Sequence, residues 1–224
     1  MLNVLTVRPR VLHVEESYRV YCTLVIGVKR AILWDTGLGK QDLRPLAESH
    51  APETLVLCSH GHYDHVGGIG RFPAVYLSPE DFSMLDEGVP CKVLPLYPGQ
   101  KFDLGGISAE TVPLRGHTRG SLGLLIPEER LLLAGDALNT RLVISRRALG
   151  DLRETLLAAL ELPFETYLTS HAPTELTKKQ IVAHLRHLRE LRLEDARPCR
   201  IAGSDGLFSD RRTPEGRSAF FILK

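Results

Sequence analysis

The sequence predicts an α/β (α+β) protein that folds as one domain over residues 1–224. Short apolar runs typical of strands alternate with segments of helical periodicity, and Gly or Pro separates most of them. Hydrophobic residues make up 43% of the chain, which is enough for a sizeable core. The length lies at the upper end of what a single core supports. We expect residues 194–224 to form a C-terminal extension packed on this domain.

The first elements form a hairpin, followed by a strand that leads into a cluster of polar residues. Residues 18–26 and 30–34 have strand character and flank a short turn that contains Gly27. Residues 40–49 predict a short helix, and residues 54–58 predict a buried strand. This strand ends immediately before a histidine-rich loop.

The middle of the chain continues the alternation of strands and helices. Residues 74–77 predict a strand, after which Ser78 as cap and Pro79 at the first helical position predict a helix that ends at Gly88. The same patterns predict strands at 107–113, 122–126, 131–133 and 167–169, and a helix at 151–160.

The C-terminal third predicts one long helix and one strand. Leucines recur at helical spacing in residues 174–193, which indicates a helix packed on the outside of a sheet with its basic residues toward solvent. His184 and His187 fall on this helix, and we expect them to be structural residues on a solvated surface. Residues 218–223 predict a terminal strand at a sheet edge.

Charge and cysteine content exclude several classes of protein. The formal net charge is +1, from 28 basic and 27 acidic residues that are interspersed, so neither a nucleic-acid nor a membrane partner is expected. The four cysteines form no C-x-x-C pair, which favours free thiols. The N-terminus lacks the apolar region of a signal peptide, and we expect a cytoplasmic protein.

The loop after residue 58 carries the strongest chemical signal. It reads His60-Gly61-His62-Tyr63-Asp64-His65, with three imidazoles and a carboxylate within six residues. In an extended loop His60 and His62 point to the same side, whereas Asp64 and His65 can turn toward a second ion. Imidazole and carboxylate ligands suit Zn²⁺, and also Fe²⁺ or Mn²⁺. One loop could therefore serve two metals.

Further candidate ligands follow predicted strands elsewhere in the chain. His117 lies in Gly-His-Thr-Arg-Gly-Ser, Asp136 in Ala-Gly-Asp-Ala, and His171 follows Ser170. Asp35 ends the second strand of the hairpin. A two-metal site needs more ligands than one loop supplies, and these residues could complete it.

This ordered set resembles the five successive motifs of the metallo-β-lactamase superfamily. The residues of the later motifs are similar to those of its glyoxalase II-like members. The resemblance covers residues 18–171. It implies a four-layer αββα sandwich, in which two mixed β-sheets lie face to face with helices outside and the metals at one edge.

The resemblance also implies roles for the candidate residues. Asp136 would bridge the metals, Asp35 would orient the metal-binding histidines by hydrogen bonding, and Asp64 could also relay a proton to the leaving group. The first of two Zn²⁺ ions would be held by His60, His62 and His117, and the second by Asp64, His65 and His171. Asp64 and Asp136 are thus the candidate catalytic residues.

The implied activity is that of a metal-dependent hydrolase acting on a small-molecule substrate. A hydroxide shared by the metals would attack an ester, thioester or lactone carbonyl, with no separate nucleophilic side chain. The glyoxalase II-like motifs favour a thioester, although only a short segment follows His171. A nuclease of the superfamily is disfavoured by the near-neutral charge, and a flavodiiron reductase by His62.

Three alternatives stay open. A persulfide dioxygenase of the superfamily would hold one iron through His60, His117 and Asp136. An acyl-homoserine-type lactonase is also possible, although residues 137–139 lack the tyrosine usual there. A non-catalytic metal-binding relic is the third. We expect Phe208 and nearby residues of the C-terminal segment to line the mouth of the pocket.

Overall fold

The N-terminal part of the chain builds a seven-stranded mixed sheet. The computed structural model describes residues 2–201 and 203–223. Strands one to four are antiparallel, and strands four to seven are parallel. The strands, in sheet order, are β1 (Asn3–Arg8), β2 (Val11–Ser17), β3 (Val20–Ile26), β4 (Ala31–Trp34), β5 (Thr54–Leu57), β6 (Ala74–Leu77) and β7 (Lys92–Pro95).

The middle of the chain builds the second mixed sheet. Its strand order is β14-β13-β11-β10-β9-β8, and only β11 and β13 are parallel. The strands of this part are β8 (Lys101–Asp103), β9 (Ser108–Pro113), β10 (Leu122–Ile126), β11 (Leu131–Leu133), β12 (Arg141–Ser145), β13 (Thr166–Leu168) and β14 (Leu176–Thr177). β12 belongs to a third sheet.

That third sheet joins the C-terminal segment to the middle of the chain. Its order is β12-β17-β16-β15, where β15 is Arg197–Ile201, β16 is Ser204–Thr213 and β17 is Gly216–Leu223. β17 runs parallel to β12, and Phe221 pairs with Val143. Of these four strands the sequence predicted only the last.

The helices predicted at 40–49 and 174–193 are shorter in the structure, whereas the helix predicted at 151–160 is longer. The helices are α1 (Arg44–Glu48), α2 (Tyr63–Val66), α3 (Leu149–Glu161) and α4 (Lys178–Glu190). The helix predicted from Ser78 to Gly88 was wrong, because Pro79–Met84 forms only a 3₁₀ segment. Within the described residues no helix has both the length and the apolar character needed to span a membrane.

Alternating side chains divide the core into layers. Val25 and Leu124 face the space between the first and second sheets. Their neighbours point outward, Leu24 toward α1 and α2 and Leu125 toward α3 and α4. Since successive strand residues face opposite sides, each sheet packs against the other sheet on one face and against helices on the other. The predicted αββα sandwich is confirmed.

The two helical histidines, His184 and His187, were wrongly placed on a solvated surface. They are 0% and 2% exposed, because β17 packs against that face of α4. Burial lowers the pKa of each to about 4, so both imidazoles are neutral near pH 7. Their neighbours Arg186 and Arg189 are the residues that face solvent.

A chain of hydrogen bonds with a defined direction runs through these histidines. His184 Nε2 lies 2.9 Å from the Asn139 carbonyl and must donate to it, which leaves Nδ1 to accept from Ser218 Oγ at 2.8 Å. Ser218 in turn accepts from His187 Nδ1 at 2.8 Å, and His187 Nε2 accepts from Ser209. Ser218 therefore satisfies both rings.

We expect Ser218→Ala to lower the free energy of unfolding by about 2 kcal/mol, because it leaves two buried imidazole nitrogens without partners. Chemical denaturation at pH 7 measures the effect. Ser204→Ala, at an exposed position of the same sheet, is the matched control. A Ser218→Ala protein as stable as this control would contradict the assigned hydrogen-bond chain.

Candidate metal centre

The candidate ligands lie on loops that leave the ends of strands. The loop after β5 carries the four candidates between His60 and His65, and α2 begins within it at Tyr63. His117 follows β9, Asp136 follows β11 and His171 follows β13. The structure brings all seven predicted ligands together in two clusters, in each of which the candidate ligand atoms lie within 4.8 Å of one another.

The first cluster consists of three imidazoles. His62 Nδ1 lies 2.9 Å from His60 Nε2 and 2.8 Å from His117 Nε2. His117 Nδ1 lies 2.7 Å from the Val143 carbonyl oxygen, to which it must donate. A neutral His117 ring therefore presents a lone pair at Nε2 toward the cluster. Three converging nitrogens of this kind suit a cation with tetrahedral or trigonal coordination.

The second cluster contains Asp64, His65, Asp136 and His171. His65 Nδ1 donates to Asp35 Oδ2 at 2.8 Å, which leaves a lone pair on Nε2. That Nε2 is buried and has no hydrogen-bond partner among the described residues. An unpartnered buried acceptor is costly unless something binds it, so this atom is a candidate ligand for a cation.

Asp136 lies between the two clusters. Its Oδ2 is 3.6 Å from His117 Nε2 and 3.1 Å from His171 Nε2, while its Oδ1 is 3.6 Å from His65 Nε2. One carboxylate thus contacts nitrogens of both sets. This is the position that the bridging role predicted for Asp136 requires.

The electrostatics of the clusters also fit a cation. Burial, reinforced by the neighbouring imidazoles, lowers the pKa of His62 to about 4. Burial opposes protonation of His65 and His171 as well, but nearby carboxylates outweigh it. Asp35 and Asp136 raise the pKa of His65. Hydrogen bonds to Asp136 and Asp64 raise the pKa of His171 to about 10. Positive charge is therefore favoured between the carboxylates, where a metal would supply it.

Asp35 lies next to the second cluster and contacts His65, the kind of contact that its predicted role requires. It is fully buried and accepts from the Ser59 amide at 2.6 Å, the Ser59 hydroxyl at 2.9 Å and the Ser170 hydroxyl at 3.2 Å, besides His65. Its φ of +66° is uncommon for a residue with a side chain. The carboxylate thereby fixes both the orientation and the tautomer of His65.

Asp81 has a similar role that the sequence did not reveal. Its Oδ2 accepts from the Gly61 amide at 3.0 Å and the Thr118 hydroxyl at 2.7 Å, and its Oδ1 accepts from the Gly120 amide at 2.9 Å. The buried carboxylate therefore ties the loop of His62 to the loop of His117. Only its place soon after a strand end could have suggested this role.

The sequence model of the metallo-beta-lactamase superfamily matches residues 18–171. The chain belongs to the metallo-β-lactamase superfamily. A hydroxyacylglutathione hydrolase from Hahella chejuensis is 30% identical over 139 residues, covering 60% of this chain and 53% of the relative. One from Synechococcus sp. (strain JA-3-3Ab) is 31% identical over 113 residues, covering 48% and 44%. The match thus spans about half the length of these relatives.

Solved structures agree on the fold of this superfamily member. A metallo-beta-lactamase from Pontibacter korlensis superposes with a TM-score of 0.69 at 19% identity, covering 85% of this chain and 100% of that one. At this identity the likeness concerns the fold alone. The metallo-β-lactamase fold is thus confirmed, whereas the ligand role of each residue stays a prediction.

A cavity of about 590 Å³ lies beside the candidate metal centre of this chain. Asp136 and His171 line it together with Ile201 and Phe221 from the C-terminal segment. Phe208, which the sequence suggested for the pocket mouth, is not among the lining residues, and its ring packs on that of Phe221. Two other residues of the C-terminal segment, Ile201 and Phe221, line the cavity instead of Phe208.

Proposed function

We propose that the protein is a metal-dependent hydrolase that cleaves a thioester or ester carbonyl of a small molecule, with two Zn²⁺ ions held by the seven clustered residues. One observation carries the proposal: the buried His65 Nε2 has no hydrogen-bond partner among the described residues and lies 3.6 Å from carboxylate oxygens of Asp64 and Asp136. The names of the curated relatives, hydroxyacylglutathione hydrolases, favour a thioester.

The two clusters would divide the ligands between the ions. His60, His62 and His117 would hold the first, Asp64, His65 and His171 the second, and the Asp136 carboxylate would contact both. Bound there, the ions would lower the pKa of a shared water and polarise the substrate carbonyl. The convergence of the second cluster favours this arrangement over a single-iron dioxygenase.

The protein's own residues would orient the reacting groups. Asp136 and His171 line the cavity, so a substrate carbonyl placed there lies next to both clusters. The Asp64 side chain is 32% exposed and lies 3.4 Å from His171 Nε2. Asp64 is therefore accessible enough to pass a proton to a departing thiolate or alkoxide.

We further propose that residues 194–224 belong to the same domain as the site. The support is the pairing of β17 with β12, which follows Asp136 in the chain. The cytoplasmic location predicted from the sequence stays a prediction.

Metal content and hydrolysis test the proposed function together. We expect elemental analysis of zinc-reconstituted protein to give two zincs per chain, and chelation to abolish cleavage of an aryl thioester. His65→Gln should lower the zinc content, whereas His50→Gln, at an exposed histidine outside the clusters, should not. One iron with oxygen consumption would move the assignment to a dioxygenase, and absence of any bound metal would contradict the proposal.

A further inference from the structure

We propose that the cavity beside the metal centre selects substrates that carry an anionic group, such as a carboxylate, together with an apolar segment. The inference rests on the proposed function and names its substrate class. At about 590 Å³ the cavity lies within the range of small-molecule sites. Its walls combine the reactive residues described above with two arginines and several apolar side chains.

The two arginines, Arg19 and Arg141, are the positive side chains of this wall. Both are exposed, and within residues 2–201 and 203–223 neither guanidinium has a hydrogen bond or ion pair with another side chain. Arg8 and Arg115, in contrast, are paired with Glu175 and Glu80. The guanidiniums at the cavity are thus free to bind an anion.

No acid in the described wall is available to neutralise them. Asp136 is the one carboxylate that lines the cavity, and its oxygens contact the nitrogens of both histidine sets. A guanidinium binds a carboxylate through two parallel hydrogen bonds, which adds geometric selectivity to the charge attraction. The cavity therefore offers two unpaired anion-binding groups next to the reacting centre.

The backbone that presents Arg19 is strained. Tyr18 and Arg19 form the two-residue turn between β2 and β3, with φ values of +49° and +62°. Such turns favour Asn-Gly, because side chains are costly in the left-handed region. The Tyr21 amide donates to the Ser170 carbonyl at 2.9 Å, which ties this hairpin to the segment of His171. The turn thus holds a charged side chain at the cavity despite a conformational cost.

The C-terminal sheet supplies the apolar part of the cavity wall. Arg141 begins β12, and two residues later Val143 pairs with Phe221 of β17. Val143, Phe221 and Ile201 all line the cavity. An aryl or alkyl segment can bury surface against these side chains while its carboxylate meets a guanidinium. Recognition of an amphipathic acid follows from this arrangement.

Paired substrates test the inference with the zinc-loaded protein. The phenylacetyl thioester of 3-mercaptopropionate carries a carboxylate, and that of 3-mercaptopropionamide replaces it with a neutral amide. We expect kcat/KM to be at least tenfold higher for the anionic thioester. Arg19→Gln and Arg141→Gln should each reduce this preference about tenfold, by raising the KM of the anionic thioester. Arg146→Gln, at an exposed arginine outside the cavity, is the control.

Calorimetric binding of 3-phenylpropionate and 3-phenylpropionamide separates this inference from the proposed function. If neither thioester is cleaved but the acid binds and both glutamine variants weaken it, the hydrolase assignment fails and the anion site stands. If both thioesters are cleaved equally well, or the acid binds all variants alike, the anion site is overturned and the hydrolase assignment is untouched.

Discussion

Asp136→Ala should lower kcat/KM for a thioester about a thousandfold and reduce the zinc content below two per chain. The reason is that one carboxylate contacts both clusters, with His171 Nε2 at 3.1 Å and His117 and His65 Nε2 at 3.6 Å. Its loss removes the shared ligand, and metal activation of water and carbonyl is worth several kcal/mol of transition-state stabilisation. Steady-state kinetics and elemental analysis measure the two effects.

Asp86→Ala, at an exposed acid outside both clusters, is the matched control for this substitution. Far-ultraviolet circular dichroism shows whether the variant is folded before the comparison is made. A folded Asp136→Ala protein with two zincs and activity within threefold of the wild type would contradict the bridging role.

Asp35→Ala is expected to be the most destabilising substitution at the site. It removes the acceptor of the Ser59 amide, the Ser59 and Ser170 hydroxyls and His65 Nδ1, all of them buried. We expect the free energy of unfolding of the metal-free protein to fall by about 3 kcal/mol or more. Zinc affinity should fall by about 10- to 100-fold, because the orientation and tautomer of His65 are no longer fixed.

Thermal unfolding with and without zinc separates the two effects of Asp35→Ala, since bound metal adds its own stabilisation to the folded state. Asp35→Asn keeps the shape of the side chain but retains only one acceptor oxygen. We therefore expect its stability and zinc affinity to lie between those of Asp35→Ala and the wild type. Equal zinc affinity in Asp35→Ala and the wild type would show that His65 is oriented by other contacts.

The central strands and the clustering of the site could be predicted because both depend on local patterns. The strands at residues 122–126 and 131–133 consist of apolar residues, because one face packs against the first sheet and the other against helices. Composition and length were therefore sufficient to predict them. Each predicted ligand lies on a loop that follows a strand. Once the strands belong to sheets that pack face to face, the residues after them meet at one edge.

The remaining elements depend on partners far away in the chain. β1 has no fully buried residue, and β16 begins with turn-forming residues, so neither shows the apolar pattern of a core strand. His184 is buried only because β17, more than thirty residues later, covers it. Asp81 acts through loops at residues 61 and 118–120, and no local pattern encodes such contacts.

The parallel pairing of β12 with β17 also affects the order in which the cavity can form during folding. His117 donates to the carbonyl of Val143 in β12, and Val143 pairs with Phe221 of β17, more than seventy residues later in the chain. Contacts between residues this far apart in sequence close a long loop and form slowly. The first sheet pairs strands that follow one another in the chain, so it can form early. The cavity wall that contains Val143 and Phe221 must await the long-range pairing.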